Sequence, residues 1–251
     1  MSVCYIGLNK IHIMQFNKKN NTTPIIFLHG LGATSYVWAS FIYARWDGFY
    51  QIVLDLPGHG KSKGDGFRTI EGYADFIDSL VEELGINKFI LVGHSIGGAI
   101  GLQYAMNFPM KLKGLVLIST GSKFRIPHEI LYSVQRDGNF YKYLCSESTP
   151  LNLIKKAEAE YYKTNNNVVM YNDLLVCNQL NITDKVNRIN TKTCIICGED
   201  DLITPPKFSK YLNKNILGSQ IYLIKKAGHM VIWEQPDTVT QLIYNFLINL
   251  H

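Results

Sequence analysis

The chain of 251 residues is 47% hydrophobic and 18% charged, and its mean hydropathy is close to zero. This balance excludes a disordered chain and favours a single domain with a sizeable buried core. The net charge of +5 is small and the Lys and Arg residues are scattered, so we expect no nucleic-acid partner.

Short apolar runs predict the strands of a sheet. The segments 3–6 and 11–16 are rich in strand-forming residues and lie close together, which predicts a hairpin. Further runs are apolar without alternation, as is typical of strands buried on both faces of a parallel sheet. They are 25–28, 51–54, 89–92, 115–118, 193–197 and 221–224.

Helical patterns separate these runs. Apolar residues from Ile70 to Leu84 recur at helical spacing, and Gly85 follows them as a C-terminal stop. The tail from Pro236 repeats the pattern, with proline at the helix start. The alternation of strands and helices predicts a doubly wound α/β sheet.

Residues 122–185 interrupt this alternation. They show no clear strand pattern, and apolar residues such as Ile130, Val134 and Ile154 follow helical spacing. A structureless loop of that length would be unusual in a compact domain. We therefore predict a helical insertion at 122–185 in an α/β core formed by residues 1–121 and 186–251.

The segment Gly93-His94-Ser95-Ile96-Gly97 carries the strongest chemical signal. It follows the predicted strand 89–92 and opens a helical run, which is the strand–turn–helix context of the Gly-x-Ser-x-Gly motif. The tight turn forces Ser95 into a strained backbone conformation, and small residues at 93 and 97 relieve the crowding. We predict Ser95 as a nucleophile.

A serine hydroxyl needs a base, and the base needs an acid that holds its tautomer. His229 follows the last predicted strand, at the same edge of the sheet as Ser95, and is the candidate base. The loop after strand 193–197 reads Gly198-Glu199-Asp200-Asp201. Placement at the strand end does not choose among its three acids.

An acyl-transfer site also needs donors for the oxyanion. His29-Gly30-Leu31-Gly32 follows the strand 25–28, and its glycines allow the backbone to turn the Leu31 N–H towards the site. The Ile96 N–H, directly after the nucleophile, is the second predicted donor.

Together these motifs resemble the α/β-hydrolase superfamily over essentially the whole chain. The resemblance implies a mostly parallel eight-stranded sheet flanked by helices, with 122–185 as a helical cap. It also implies the chain order Ser95, Asp201, His229, and it selects the fourth position of Gly-x-x-Asp, Asp201, as the acid. The matching segments are 29–32, 55–60 with Ser62, 93–97, 198–201 with Pro205, and 228–229 with Glu234 and Pro236.

Two other motifs suggest different chemistry. The segment 55–62 differs from the phosphate-binding P-loop motif at one position, Asp55, where the motif has Gly. However, Gly64 and Gly66 argue against the helix that a P-loop requires. Cys194 and Cys197 have the spacing of a redox or metal pair, yet positions i and i+3 of a strand point to opposite faces. We expect core packing for both thiols, and neither a metal nor a cofactor.

The resemblance implies a serine esterase that cleaves a small carboxylic ester or lactone through an acyl-enzyme. Carbon–carbon bond hydrolysis, thioester hydrolysis and acyl transfer remain open, because the triad does not separate them. A ligand receptor with vestigial turnover is the alternative of another class. The residues predicted to line the substrate pocket are His29, Trp38, Tyr132, Phe140, Tyr141 and Trp233.

The sequence also gives expectations about location and assembly. No run of about 18 apolar residues predicts a membrane span, and the first ten residues lack the features of a secretory signal. The five Cys residues fit a reducing compartment better than a disulfide framework. We expect a cytoplasmic monomer or homodimer whose partner is a small ester-like molecule.

Overall fold

The computed structural model describes residues 2–6, 9–19, 21–44, 46–136, 144–147, 149–155, 159 and 167–250. Within these ranges the chain forms one eight-stranded sheet in the order β1-β2-β4-β3-β5-β6-β7-β8. The strands are β1 (Ser2–Ile6), β2 (Asn9–Phe16), β3 (Thr23–Leu28), β4 (Phe49–Leu54), β5 (Phe89–His94), β6 (Leu112–Ile118), β7 (Thr193–Gly198) and β8 (Gln220–Ile224).

The sheet is mostly parallel. Strands β1 and β2 pair antiparallel, and β2 also pairs antiparallel with β4. From β4 to β8 every neighbouring pair is parallel. The predicted hairpin and the predicted parallel sheet are both confirmed, and the strands extend one to three residues beyond several of the apolar runs. The carboxyl ends of the parallel strands therefore meet at one edge.

Helices lie between the strands and after the last one. They are α1 (Ala39–Tyr43), α2 (Ile70–Glu83), α3 (Ile96–Asn107), α4 (His128–Arg136), α5 (Asn167–Gln179), α6 (Pro206–Asn215), α7 (Val231–Glu234) and α8 (Pro236–Ile248). Short 3-10 turns occupy Ser35–Trp38, Pro109–Lys111 and Thr183–Arg188. None of the helices in the described part of the chain combines the length and apolar character that a membrane span needs.

The core has a layer on each face of the sheet, because the central strands are apolar on both sides. Alternate residues of β3 enter different layers: Ile26 and Leu28 pack with α2 and α3, whereas Ile25 and Phe27 pack with α8. The same alternation runs through β5 and β6. This two-sided burial is the physical reason for the continuous apolar runs in the sequence.

The described part of 122–185 contains α4 and α5, with one isolated bridge between Lys123 and Asn181. A third apolar cluster joins these helices to Ile203 and Met230, which lie on loops beyond β7 and β8. Helix α5 is also tied to α2, because the Tyr73 hydroxyl donates to the buried Asp173 carboxylate at 2.7 Å. Both contacts hold the helices above the carboxyl edge of the sheet.

Candidate active site

Ser95 lies at the sharp turn between β5 and α3. Its φ of 55° and ψ of −118° are strained for a residue with a side chain. A Cβ on Gly93 would lie 2.2 Å from the Gly97 carbonyl oxygen, and a Cβ on Gly97 would lie 2.4 Å from the Leu28 carbonyl oxygen. The two glycines are therefore the residues that let the turn close.

A hydrogen-bonded chain links Ser95, His229 and Asp201. The Ser95 Oγ lies 2.9 Å from His229 Nε2, and His229 Nδ1 lies 2.9 Å from Asp201 Oδ2. Because an ionised carboxylate only accepts hydrogen bonds, Nδ1 carries the proton and Nε2 is left to accept from the serine hydroxyl. All three side chains are buried.

Asp201 is held as a carboxylate by its surroundings. It accepts hydrogen bonds from the Ile203 and Thr204 amides at 2.9 and 2.8 Å and from the Thr204 hydroxyl at 2.8 Å. Burial alone would raise its pKa, but the electrostatic interaction with His229 and the hydrogen bonds from His229 and Thr204 outweigh burial and hold the pKa below its usual range. Its neighbour Asp200 instead accepts from the Ser146 hydroxyl at 2.8 Å.

Leu31 and Ile96, whose amides the sequence predicts as oxyanion donors, both lie close to Ser95. Ile96 is the first residue of α3, so its N–H has no acceptor within the helix. Leu31 follows Gly30 in the loop after β3 and borders the cavity above Ser95. A Cβ on Gly30 would lie 3.2 Å from the Ser95 Cβ, which shows how closely this loop approaches the serine.

His94 braces the loop that carries His229. Its Nε2 lies 2.9 Å from the His229 carbonyl oxygen and donates to it, while its Nδ1 has no hydrogen-bond partner among the described residues. Burial, followed by the electrostatic interaction with His229, lowers the pKa of His94 to about 3. The ring is thus neutral and acts as a fixed donor.

A cavity of about 50 Å³ lies above Ser95 and His229. Among the described residues that line it, none is Lys, Arg, Asp or Glu. Its apolar wall is formed by Leu31, Val37, Phe124, Ile126, Ile130, Leu144, Leu174, Ile203, Met230 and Trp233. A few polar groups in an apolar cavity are typical of a small-molecule site.

The structure corrects three of the predicted pocket residues. His29 is fully buried below the cavity, where its Nδ1 donates to the Gly30 carbonyl at 2.8 Å and its Nε2 accepts from the Leu56 amide at 2.9 Å. Trp38 is fully buried between Phe27 and Phe41 in the core layer.

The third correction concerns Tyr132, whose side chain is 61% exposed on α4 and lies under the Arg136 guanidinium. Trp233 does line the cavity, and together with Tyr36 it also borders a second cavity of about 220 Å³. Phe140 and Tyr141 lie outside the described residues.

Sequence reasoning missed most of the cavity wall. Phe124, Ile126 and Ile130 precede or begin α4, and Leu174 and Cys177 lie on one side of α5. An apolar stripe on an inserted helix was visible in the sequence, but a stripe does not tell which of its residues faces the cavity and which faces the helix partner.

The two rejected motifs have structural roles. The Asp55 carboxylate accepts from the Ser35 amide at 2.7 Å and the Lys61 amide at 2.9 Å, so it fixes the backbone of this turn. Cys194 and Cys197 are buried free thiols. Within the described ranges, no group of three or more His, Cys, Asp and Glu residues is placed to hold a metal ion.

The chain is similar to known hydrolases. The chain is 27% identical to a 2-hydroxy-6-oxononadienedioate/2-hydroxy-6-oxononatrienedioate hydrolase of Escherichia coli O139:H28, covering 95% of this chain and 91% of that protein. It is 26% identical to a monoacylglycerol lipase of Xenopus laevis, covering 93% and 77%.

The fold is shared with an enol-lactonase from Burkholderia xenovorans LB400, with a TM-score of 0.91 and 18% identity over 99% of this chain and 100% of that one. A family model described as the alpha/beta hydrolase fold matches residues 23–153, more than half of the chain. The chain therefore belongs to the α/β-hydrolase family.

Proposed function

We propose that this protein is a serine hydrolase of small, uncharged carboxylic esters or lactones. The observation that carries the proposal is the continuous chain of hydrogen bonds from Ser95 through His229 to Asp201, at the floor of an apolar cavity. This arrangement supplies a nucleophile, its base and the acid that orients the base.

In the first step the Ser95 Oγ attacks the substrate carbonyl carbon while His229 Nε2 takes the hydroxyl proton. Asp201 stabilises the imidazolium that forms. The Leu31 and Ile96 amides donate to the oxyanion, which carries more negative charge than the ground-state carbonyl. The carbon–oxygen bond to the alcohol then breaks, and Nε2 returns the proton to the departing oxygen.

In the second step water attacks the acyl-enzyme by the same route. His229 Nε2 takes a proton from the water, the oxyanion forms between the same two amides, and the Ser95 Oγ leaves with that proton. The products are the free acid and the restored hydroxyl. The cycle balances with water as the co-substrate.

The cavity supports an uncharged substrate. A dioate, such as the one in the name of the Escherichia coli relative, carries two carboxylates, and burying an unpaired charge is costly. No Lys or Arg borders the described part of the cavity. A volume of about 50 Å³ holds only a few water-sized groups, which favours a short acyl chain. Residues 122–185 act as the cap that provides much of this wall.

Hydrolysis of a carbon–carbon bond is the second candidate, because the Escherichia coli relative matches 95% of this chain. The same triad serves both reactions. A panel of short esters, lactones, thioesters and oxo-dienedioates separates them by kcat/KM, and the uncharged esters and lactones are expected to be the best substrates. Binding of a panel member without turnover would instead point to a receptor.

The role of Ser95 is tested by labelling with a fluorophosphonate probe. The wild type is expected to react at Ser95, with the adduct located by mass spectrometry, and Ser95→Ala is expected to lose both labelling and turnover. Ser79→Ala is the matched control, because Ser79 is exposed on α2 and, among the described residues, its hydroxyl bonds only the Asp75 carbonyl of its own helix. Labelling that survives Ser95→Ala would refute the proposal.

A further inference from the structure

One piece of the predicted cap lies directly against the loop that carries His229. Its described residues are 144–147 and 149, and we refer to them as the docking segment. The Met230 amide donates to the Leu144 carbonyl at 3.0 Å. A Cβ on Gly228 would lie 2.5 Å from the Ser146 nitrogen and 2.8 Å from the Cys145 carbonyl carbon. The two backbones are thus in contact on both sides of His229.

Glu234 joins the docking segment to the histidine loop. Its Oε2 accepts from the Gly228 amide at 2.8 Å. Its Oε1 accepts from the Ser146 amide at 2.9 Å and also from the Thr149 hydroxyl. Hydrogen bonds to an ionised carboxylate are stronger than those between neutral groups, so one side chain fixes two separate chain segments.

These contacts act on His229 through its neighbours in the chain. Gly228 is held by Glu234, and Met230 is held by Leu144. The carbonyl of His229 itself accepts from His94 Nε2. The imidazole must remain within reach of both Ser95 and Asp201, and a misplacement of about 1 Å can cost about 100-fold in rate.

We propose that Glu234 is a positioning residue that sets His229 for proton transfer by clamping the histidine loop to the docking segment. The inference rests on the proposed function, since it assigns Glu234 a role in the work of His229. The insertion then contributes to the reaction itself, in addition to lining the cavity. Glu234 does not line the cavity above Ser95 and acts only through the loop.

The test is Glu234→Gln, which keeps the shape of the side chain. The amide nitrogen of glutamine cannot accept a hydrogen bond. Whichever way the amide turns, Glu234→Gln therefore loses the bonds either to Gly228 or to the docking segment. We expect kcat for an alkyl ester to fall about 10- to 100-fold per active site, with KM unchanged within about twofold. Active sites are counted by fluorophosphonate titration, so that unfolded protein does not enter the rate.

The leaving group provides a readout that a purely structural role would not move. An alkoxide needs the proton from His229, whereas p-nitrophenolate leaves without it. The loss in kcat/KM should therefore be smaller for the p-nitrophenyl ester than for the alkyl ester of the same acid. Thr149→Val removes one of the three hydrogen bonds that Glu234 accepts. It should lower kcat/KM less than Glu234→Gln does, again with a smaller loss for the p-nitrophenyl ester than for the alkyl ester. This variant replaces Glu234→Gln in the test if Glu234→Gln fails to fold.

Asp237→Asn is the matched control. It removes an exposed carboxylate in the first turn of α8, and its kinetics should equal those of the wild type. An unchanged kcat per active site, a rise in KM alone, or equal losses for the two esters in Glu234→Gln would overturn the positioning role while leaving the proposed function intact. A wild type that neither labels nor turns over esters would overturn both.

Discussion

The floor and the roof of the cavity are built by different chemistry. The floor consists of loops at the carboxyl edge of the sheet, where Ser95, His229 and Asp201 are each fixed by hydrogen bonds of defined direction. The roof consists of apolar side chains from the segment between β6 and β7, such as Ile130 and Leu174, which only need to fill space. Directional groups tolerate little change, whereas apolar walls tolerate substitutions that conserve volume.

This difference predicts a large effect at the floor. Asp201→Asn should lower kcat about 10⁴-fold, since an amide in place of the carboxylate favours the wrong tautomer of His229, as the same change does in another serine triad. The measurement is kcat for a short ester at neutral pH. Asp200→Asn, which alters the neighbouring carboxylate bonded to Ser146, should lower kcat less than tenfold. A larger loss for Asp200→Asn would reverse the assignment.

Two tryptophans extend the comparison to the core. Trp38→Ala should lower the free energy of unfolding by about 3–5 kcal/mol, because it empties a fully buried site between Phe27 and Phe41. Folded Trp38→Ala should keep the KM of the wild type. Trp233→Ala should change KM and cost less stability, because Trp233 is half-buried at the cavity. Urea unfolding and steady-state kinetics of both variants test this. A KM change in Trp38→Ala, or a larger loss of stability in Trp233→Ala, would contradict the assignment.

The same two tryptophans show how far sequence reasoning reached. The strained turn at Ser95 was predictable, because it demands glycine at fixed positions after a strand. Trp38 and Trp233 both stand near the start of a helix, and only tertiary packing decides which one faces the cavity. His29 was predicted to line the pocket because it follows β3, at the correct edge of the sheet. Its ring instead turns inward and accepts from the Leu56 amide, and no local sequence pattern indicates that orientation.

Two buried histidines near Ser95 predict a loss of stability in acid. Burial lowers the pKa of His94 to about 3, and it also lowers the pKa of His29. As the pH falls below about 6.5, the unfolded chain binds protons that the folded state does not bind. Each such histidine therefore lowers the free energy of unfolding, and for His94 the loss between pH 7.5 and pH 5 is about 2 kcal/mol.

Urea unfolding at pH 7.5 and pH 5 measures this loss. His94→Asn should have a smaller difference between the two pH values than the wild type, by the same 2 kcal/mol or so. The comparison is between the two pH values of one variant, so a general destabilisation by the substitution does not affect it. A difference as large as in the wild type would show that His94 titrates normally in the folded protein.

The smallest expected effect lies at the roof. Leu174→Ala removes part of the apolar wall above Ser95 and should move the preference in kcat/KM towards longer acyl chains by about tenfold, since one methylene in a hydrophobic pocket is worth about 10-fold or more. Labelling of Ser95 by a small fluorophosphonate should stay within about twofold, because a change in volume does not reach the hydrogen bonds of the floor.

Leu175→Ala makes the same chemical change one residue further along α5, at a side chain that is 36% exposed and does not line the cavity. Its chain-length preference should equal that of the wild type. Equal shifts in the two variants would mean that the preference responds to the stability of α5 and not to the shape of the cavity. A strong loss of Ser95 labelling in Leu174→Ala alone would mean that the apolar roof also holds the triad in place. The division between a directional floor and a space-filling roof would then be wrong.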